Sequence, residues 1–491
     1  MRDLTLSIDV GTGSIRAALV DGAGRILAIE AREHAQIVPR HGWSEQRPDE
    51  WWAGTATAIR AVLGRVEGAG ARLSAVCACG QMHGTVLIDA EGRPTRDAVP
   101  LWNDKRSQPQ ADRLSATLGA RAMALAANLP APAWPATKLM WLMEHDPDAV
   151  ARAAALLMPK DWITYRLTGR AAQDVTEASM SFLMDPETRD WSAELVEAAG
   201  IPTRLLQPIL APTDILGPVT ASAAAETGLP EGLPVLVGAG DYPAALVGSG
   251  VIAPGLASDV TGTSTILTLI REAPLRDASV SNVATAEGHW GALTLLDAGG
   301  DAIRWARRAL HGGQAGFEDM EALAEAAAPG AGGLLFLPYL SGERFHPASR
   351  AQVFGLTAAH GPAELTRAVM EGVAFSVRHK LDAAGAARPE RIVAAGGGAR
   401  SALWLKIKAS LYGAPFVVPE EPECGLVGNA VMAAVATGAA PSLAEAAARM
   451  VRHGPEIAPD PDWAARYDAL APLYAELYDA TRPLFDRLEA L

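Results

Sequence analysis

The chain has 491 residues, 49% of them apolar, which is enough for two sizeable cores and too many for one ordinary domain. Acidic residues outnumber basic ones by 56 to 42, for a formal charge of -14, and no long basic cluster occurs, so nucleic acid and anionic membrane are set aside as partners. The three cysteines, Cys77, Cys79 and Cys424, have no histidine cluster beside them and read as small buried residues of a reducing compartment. The chain enters a strand at once, without a basic and apolar leader. No apolar run reaches membrane-spanning length, and a cytoplasmic protein is expected.

The first element, Leu4 to Asp21, reads as strand, small polar turn and strand. Backbone N–H groups at Gly11, Thr12, Gly13 and Ser14 can hold phosphate oxygens. Asp9 would repel phosphate but can hold magnesium or its waters; a turn hydrogen bond is its plainer role. Arg25 to Glu33 is edge-like. Pro48 suits the first turn of a helix, and Trp43, Trp51 and Trp52 suit packing more than ligand contact. The buried strand Ala71 to Cys79 ends in Gly80-Gln81-Met82-His83-Gly84, and a strand resumes at Thr85. Gln81 and His83, between two glycines, have the donors and acceptors to read hydroxyls or a carbonyl; the alternative is a turn with a satisfied histidine. Trp102 to Arg106 sets an aromatic ring, an amide, a carboxylate and two cations side by side, fit for a polyol pocket or for a salt-bridged loop.

Ser107 to Gly200 is mostly helical, with Lys138 to Leu142 and Asp161 to Leu167 facing the core, Asp174 to Ser181 as an ordered loop and Asp190 as a possible helix cap. Val235 to Val237 is a strand, Gly238 to Asp241 ends it, and Tyr242 starts a helix. At that strand end Asp241 is placed as a general base for phosphoryl transfer, with helix capping as the competing role. A domain boundary is expected near Gly250. Beyond it Gly255 to Ile270 repeats the first device around Thr261, Gly262, Thr263, Ser264 and Thr265, which suggests two domains each offering a phosphate-gripping hairpin to a shared cleft. Gly299-Gly300-Asp301 opens a helix. Gly396-Gly397-Gly398 follows a strand and implies close approach of something flat or anionic, or a tight turn. No GxxxxGK[ST], HExxH or CxxC pair occurs, so a P-loop and a zinc site are not expected.

Taken in order, these stretches resemble the FGGY family of carbohydrate kinases from end to end. The resemblance rests on Asp9 with Gly11 to Ser14, Trp43 to Gln46, Gly80 to Gly84, Trp102-Asn103-Asp104, Pro159-Lys160-Asp161, Gly240-Asp241, Gly262-Thr263-Ser264, Pro338 to Arg344 and Gly396 to Arg400. Met82-His83 with Pro338 to Arg344 points to the xylulokinase-like branch. The resemblance implies a two-domain actin-like ATPase (ribonuclease H-like) α/β fold, each domain a mixed sheet flanked by helices, with the active site in the interdomain cleft. Residues 1–250 would bind sugar and carry the base, and residues 251–491 would bind nucleotide. It implies ATP and Mg2+ as cofactors, Asp241 as catalytic base, and Asp9 as the residue that positions the metal. Thr12, Gly13, Thr263 and Gly300 would line the phosphate path, and Gly397, Gly398 and Asn429 would border the adenosine. Gln81, Met82, His83, Trp102, Asp104 and Tyr242 would form the sugar site. The implied reaction is phosphorylation of D-xylulose in carbohydrate metabolism, with another ketopentose, a pentitol or a tetritol as alternatives and a non-catalytic sugar- or nucleotide-binding protein as a remote one. A homodimer is also implied. Two positions depart from the branch: Tyr242 stands where asparagine is usual, and Lys105 where the residue is often small or uncharged.

Overall fold

A computed structural model of the protein describes residues 2–343 and 346–491; Arg344, the last residue of the Pro338 to Arg344 motif, lies outside them. The chain packs into two compact units, Met1–Ile252 with Glu272–Gly291 and Glu423–Arg452, and Ala253–Arg271 with Ala292–Pro422 and His453–Leu491. The first thus takes in two later segments beyond the Gly250 region.

The first unit is built on a mixed sheet in the order Ile215–Pro218, Pro234–Leu236, Leu73–Gly80, Leu4–Val10, Ser14–Asp21, Ile26–Glu33. Leu4–Val10 pairs antiparallel with Ser14–Asp21 and parallel with Leu73–Gly80. All seven residues of Leu4–Val10 are buried, although Thr5, Ser7 and Asp9 alternate with the apolar ones. The helix Cys424–Ala436 covers their face, and Ser7 Oγ donates to the Leu426 carbonyl at 2.9 Å. Ile26–Glu33 is the edge, with alternating exposure, as expected. Trp51 and Trp52 are buried in the helix Pro48–Leu63 and serve packing.

Three local expectations change. Val86–Ile88 does not resume the main sheet but pairs with Ala155–Leu157 in a separate small one. Asp174 to Ser181 is not a loop: Val175–Ser179 is a short helix capped by Asp174, whose Oδ1 accepts from Thr176 N–H at 2.8 Å. The cap of helix Ala193–Ala199 is Ser192 and not Asp190, because only the Ser192 hydroxyl reaches the Leu195 N–H.

The second unit repeats the device. Leu256–Thr261 pairs antiparallel with Thr265–Arg271 and parallel with Arg391–Ala395. Its core gathers around the helices Pro362–Ala383 and Ala402–Tyr412. Both units are mixed α/β, as an actin-like ATPase fold requires. Among the described residues no helix is long and apolar enough to cross a membrane.

Candidate active site

Parallel pairing brings three strand ends to one place in the first unit. Val10 and Gly240 both stand opposite Gly80, and Asp9 and Ala239 both stand opposite Cys79. The residues that leave these ends are the hairpin turn after Val10, Gln81 and Asp241. Carboxyl ends of parallel strands are where open α/β sheets bind ligands.

Asp241 is the first residue of the helix Asp241–Gly248, and its Oδ1 accepts from the Tyr242 N–H at 2.7 Å. That helix is locked in place by close backbone contact. A Cβ at Gly248 would stand 1.8 Å from the Cys424 carbonyl oxygen, and one at Gly428 1.9 Å from that of Ala244. The small-residue helix Cys424–Ala436 thus makes the intimate contact its composition suggests. The Asp241 residue keeps some solvent exposure, yet burial of its carboxyl raises its pKa to about 7. The Asp9 charge adds to the rise, while the Tyr242 N–H and Arg16 oppose it.

Asp9 is buried, and burial raises its pKa while Arg16 pulls it back. Arg16, one strand over in register, bonds Asp9 Oδ2 and also Glu423. Asp9 Oδ1 is buried without a hydrogen-bond partner. Among the described residues no group of three carboxylate, histidine or cysteine side chains could hold a metal. Magnesium, however, keeps several waters and takes one or two carboxylates beside substrate phosphates. One open Asp9 oxygen fits that need, and Asp9 is the residue that would hold the ion.

The hairpin tip is tight: the Gly11 N–H donates to the Ser14 carbonyl at 3.0 Å, and Gly13 is exposed. Trp102 is 47% exposed and its Nε1 donates to Thr12 Oγ1 at 3.1 Å, so the side chain stands beside the turn. Met82 packs on Gly240, where an added Cβ would meet its Sδ at 2.9 Å. The His83 ring lies edge-on to Trp134 at 5.0 Å, and burial depresses its pKa to about 3, so it is neutral.

Three expected ligand contacts are corrected. Asp104 is wholly buried; Oδ1 accepts from Arg106 N–H and Nε, and Oδ2 from Arg106 Nη2 and Ser44 N–H. With Glu45 also ion-paired to Arg106 at 2.7 Å, the salt-bridged alternative holds there. Gln81 is buried, donating to Gln46 Oε1 at 2.8 Å and accepting from Thr12 Oγ1 at 3.3 Å, so it braces the turn. Asn429 belongs to the first unit, wholly buried, with Nδ2 donating to Ser7 Oγ and the Ile8 carbonyl, which leaves nothing for an adenosine. The Lys105 side chain is exposed.

In the second unit Gly262 and Thr263 are exposed at the hairpin tip, and the Gly262 N–H donates to the Ser264 carbonyl. The Gly300 N–H donates to the Gly262 carbonyl at 3.0 Å, and a Cβ there would stand 2.2 Å from that oxygen. Gly300 therefore brings the helix Gly299–His311 against the turn. Gly398 packs on Thr261, and Gly397 is exposed with open space beside it. Asp259 escaped the sequence reading, although Asp259-Val260 with Ser264 copies the spacing of Asp9-Val10 with Ser14. Unlike Asp9, which has one oxygen on Arg16, it has both oxygens on a cation, Lys408, at 2.7 and 3.0 Å. Arg16 was missed too, since only strand register reveals it.

Models of the FGGY family of carbohydrate kinases match two stretches of the chain, the N-terminal domain over residues 4–248 and the C-terminal domain over 257–437. The chain belongs to the FGGY family. It is 30% identical to a xylulose kinase of Escherichia coli over 98% of this chain and 99% of that one. A gluconokinase of Bacillus licheniformis is 27% identical over 97% and 96%. The crystal structure of a xylulose kinase from Rhodospirillum rubrum superposes with a TM-score of 0.92 and 30% identity, covering 98% of this chain and all of that one. As an FGGY member the chain is an ATP-dependent carbohydrate kinase.

Proposed function

We propose that the acceptor is D-xylulose, converted to D-xylulose 5-phosphate, with Asp241 as general base. The base assignment is carried by an Asp241 carboxyl at the converging strand ends with its pKa raised to about 7, and the choice of acceptor is supported by the end-to-end likeness to xylulose kinases. A base poised near the working pH both holds the ionised form and takes a proton readily. The acceptor hydroxyl gives its proton to Asp241 as its oxygen bonds the γ-phosphorus of ATP. The bond from that phosphorus to the β,γ-bridging oxygen breaks, and ADP leaves. Magnesium, when bound, neutralises charge on the phosphate oxygens. Arg16 holds one Asp9 oxygen and so aims the other. The first unit takes the sugar, with Met82, His83, Trp102 and Tyr242 around Asp241. The second takes the nucleotide through Thr263, Ser264, Gly397 and Gly398.

Another ketopentose, a pentitol or a tetritol is the second reading. It is favoured by Tyr242, whose single hydroxyl replaces an amide's two-way hydrogen bonding. ADP release with magnesium and ATP across pentuloses, pentitols, tetritols and hexuloses decides between them. The largest kcat/KM is expected for D-xylulose, and a larger one for any other acceptor overturns that choice while keeping the kinase.

The pH profile follows from the same carboxyl. The base must be ionised, and its pKa is raised, so activity is lost as pH falls. With a saturating excess of magnesium, kcat/KM for the acceptor is expected to decline about tenfold per unit below about pH 7. An acid limb near the ordinary carboxylate value of 3.8 would remove Asp241 from the titration.

A further inference from the structure

The backbone of one residue of the proposed sugar site, His83, is held through both of its flanking peptides by buried ionisable side chains. His83 has φ +68°, left-handed backbone that a residue with a Cβ adopts only under strain. Its carbonyl accepts from Lys138 Nζ at 2.8 Å, and its N–H donates to Glu177 Oε2 at 3.4 Å. Lys138 also donates to the Ala133 carbonyl at 2.7 Å, which ties in the segment that carries Trp134. Lys138 and Glu177 are 1% and 0% exposed, so neither reaches a ligand. They come from different helices, Pro135–His145 and Val175–Ser179.

We propose that Lys138 and Glu177 form a clamp that fixes the left-handed backbone of His83 through its two flanking peptides, and through it the imidazole, so that they set acceptor affinity as positioning residues. This rests on the reading of His83 as a sugar contact. An ammonium suits the task, because a charge-assisted bond to one carbonyl is stronger than a neutral one. Burial lowers the Lys138 pKa to about 7; Asp104 opposes that fall, Arg106 adds to it, and Glu177 opposes it. Glu177 in turn faces Asp174, Asp161, Lys160 and Asp241. Without the clamp the His83 backbone is free to leave the strained conformation, and the ring moves off the edge of Trp134.

The test is steady-state kinetics of the full chain, with the acceptor of highest kcat/KM, on His83→Ala, Lys138→Met and the double variant. Lys138→Met is expected to raise acceptor KM at least tenfold and leave ATP KM within twofold. The double variant is expected to be no worse than His83→Ala, because Lys138 acts through His83. Multiplying effects, an unchanged acceptor KM in Lys138→Met, or an equal rise in ATP KM would overturn the clamp. If His83→Ala leaves acceptor KM unchanged, the reading of His83 falls and the clamp with it. Should Lys138→Met fail to fold, Glu177 decides. Glu177→Gln keeps an acceptor oxygen for the His83 N–H and should match the parent, whereas Glu177→Met should raise acceptor KM; equal behaviour of the two refutes the proposal.

Discussion

Asp241→Asn is expected to lower kcat by about 10²–10⁴-fold, the usual contribution of a general base, while ATP binding and thermal stability stay near those of the parent. Asparagine keeps the shape and an oxygen that can accept from the Tyr242 N–H, so the start of the Asp241–Gly248 helix is preserved. What it loses is the ability to take the acceptor's proton. The capping role predicts the opposite pattern, with stability reduced and turnover kept. Equilibrium binding of ATP, calorimetry and ADP release on one preparation separate the two, and near-normal turnover would refute the base assignment.

The second large effect is on stability. Lys160 is wholly buried between Asp161 and Asp174, at 2.9 Å from the latter, and donates to the Val237 carbonyl at 3.1 Å. These carboxylates hold its pKa above the ordinary lysine value against the pull of burial. Lys160→Met would strand two buried carboxylates, and removal of one side of such a cluster costs about 3–5 kcal/mol. The Val237 carbonyl lies four residues before Asp241, so its release also loosens the base. We expect a lower unfolding temperature for the first unit together with reduced kcat. Adding Asp161→Asn to Lys160→Met should recover part of the lost stability, since the stranded charge is then smaller. A single variant as stable as the parent would show that the cluster contributes little.

The two variants differ in how far their basis is legible in sequence. Asp241 stands beside a glycine at a strand end, a local pattern, and the helix that begins there is where the sequence places it. Lys160 lies within a recognisable Pro159-Lys160-Asp161 stretch, but nothing in that stretch says that Asp174 closes the cluster. The same division runs through the site. The sequence places Trp102 and Asp104 in one mixed polar stretch, yet Trp102 is exposed whereas Asp104 two residues on is saturated by Arg106 and by the Ser44 N–H, 60 residues away in sequence.

The sequence by itself determined the family, through the order of short motifs along the chain, and the two strand–turn–strand devices and the strand-end positions of Asp9 and Asp241, which depend on neighbours within a few residues. Backbone freedom at small residues and the period of strands are local properties. Tertiary structure alone decided which polar side chains remain open to a ligand. Asn429 is taken by Ser7 across 422 residues, Asp259 by Lys408 across 149, and Asp9 keeps one oxygen free because register sets Arg16 against the other. A buried polar group binds whichever partner folding brings to it, and chain spacing holds no record of that choice.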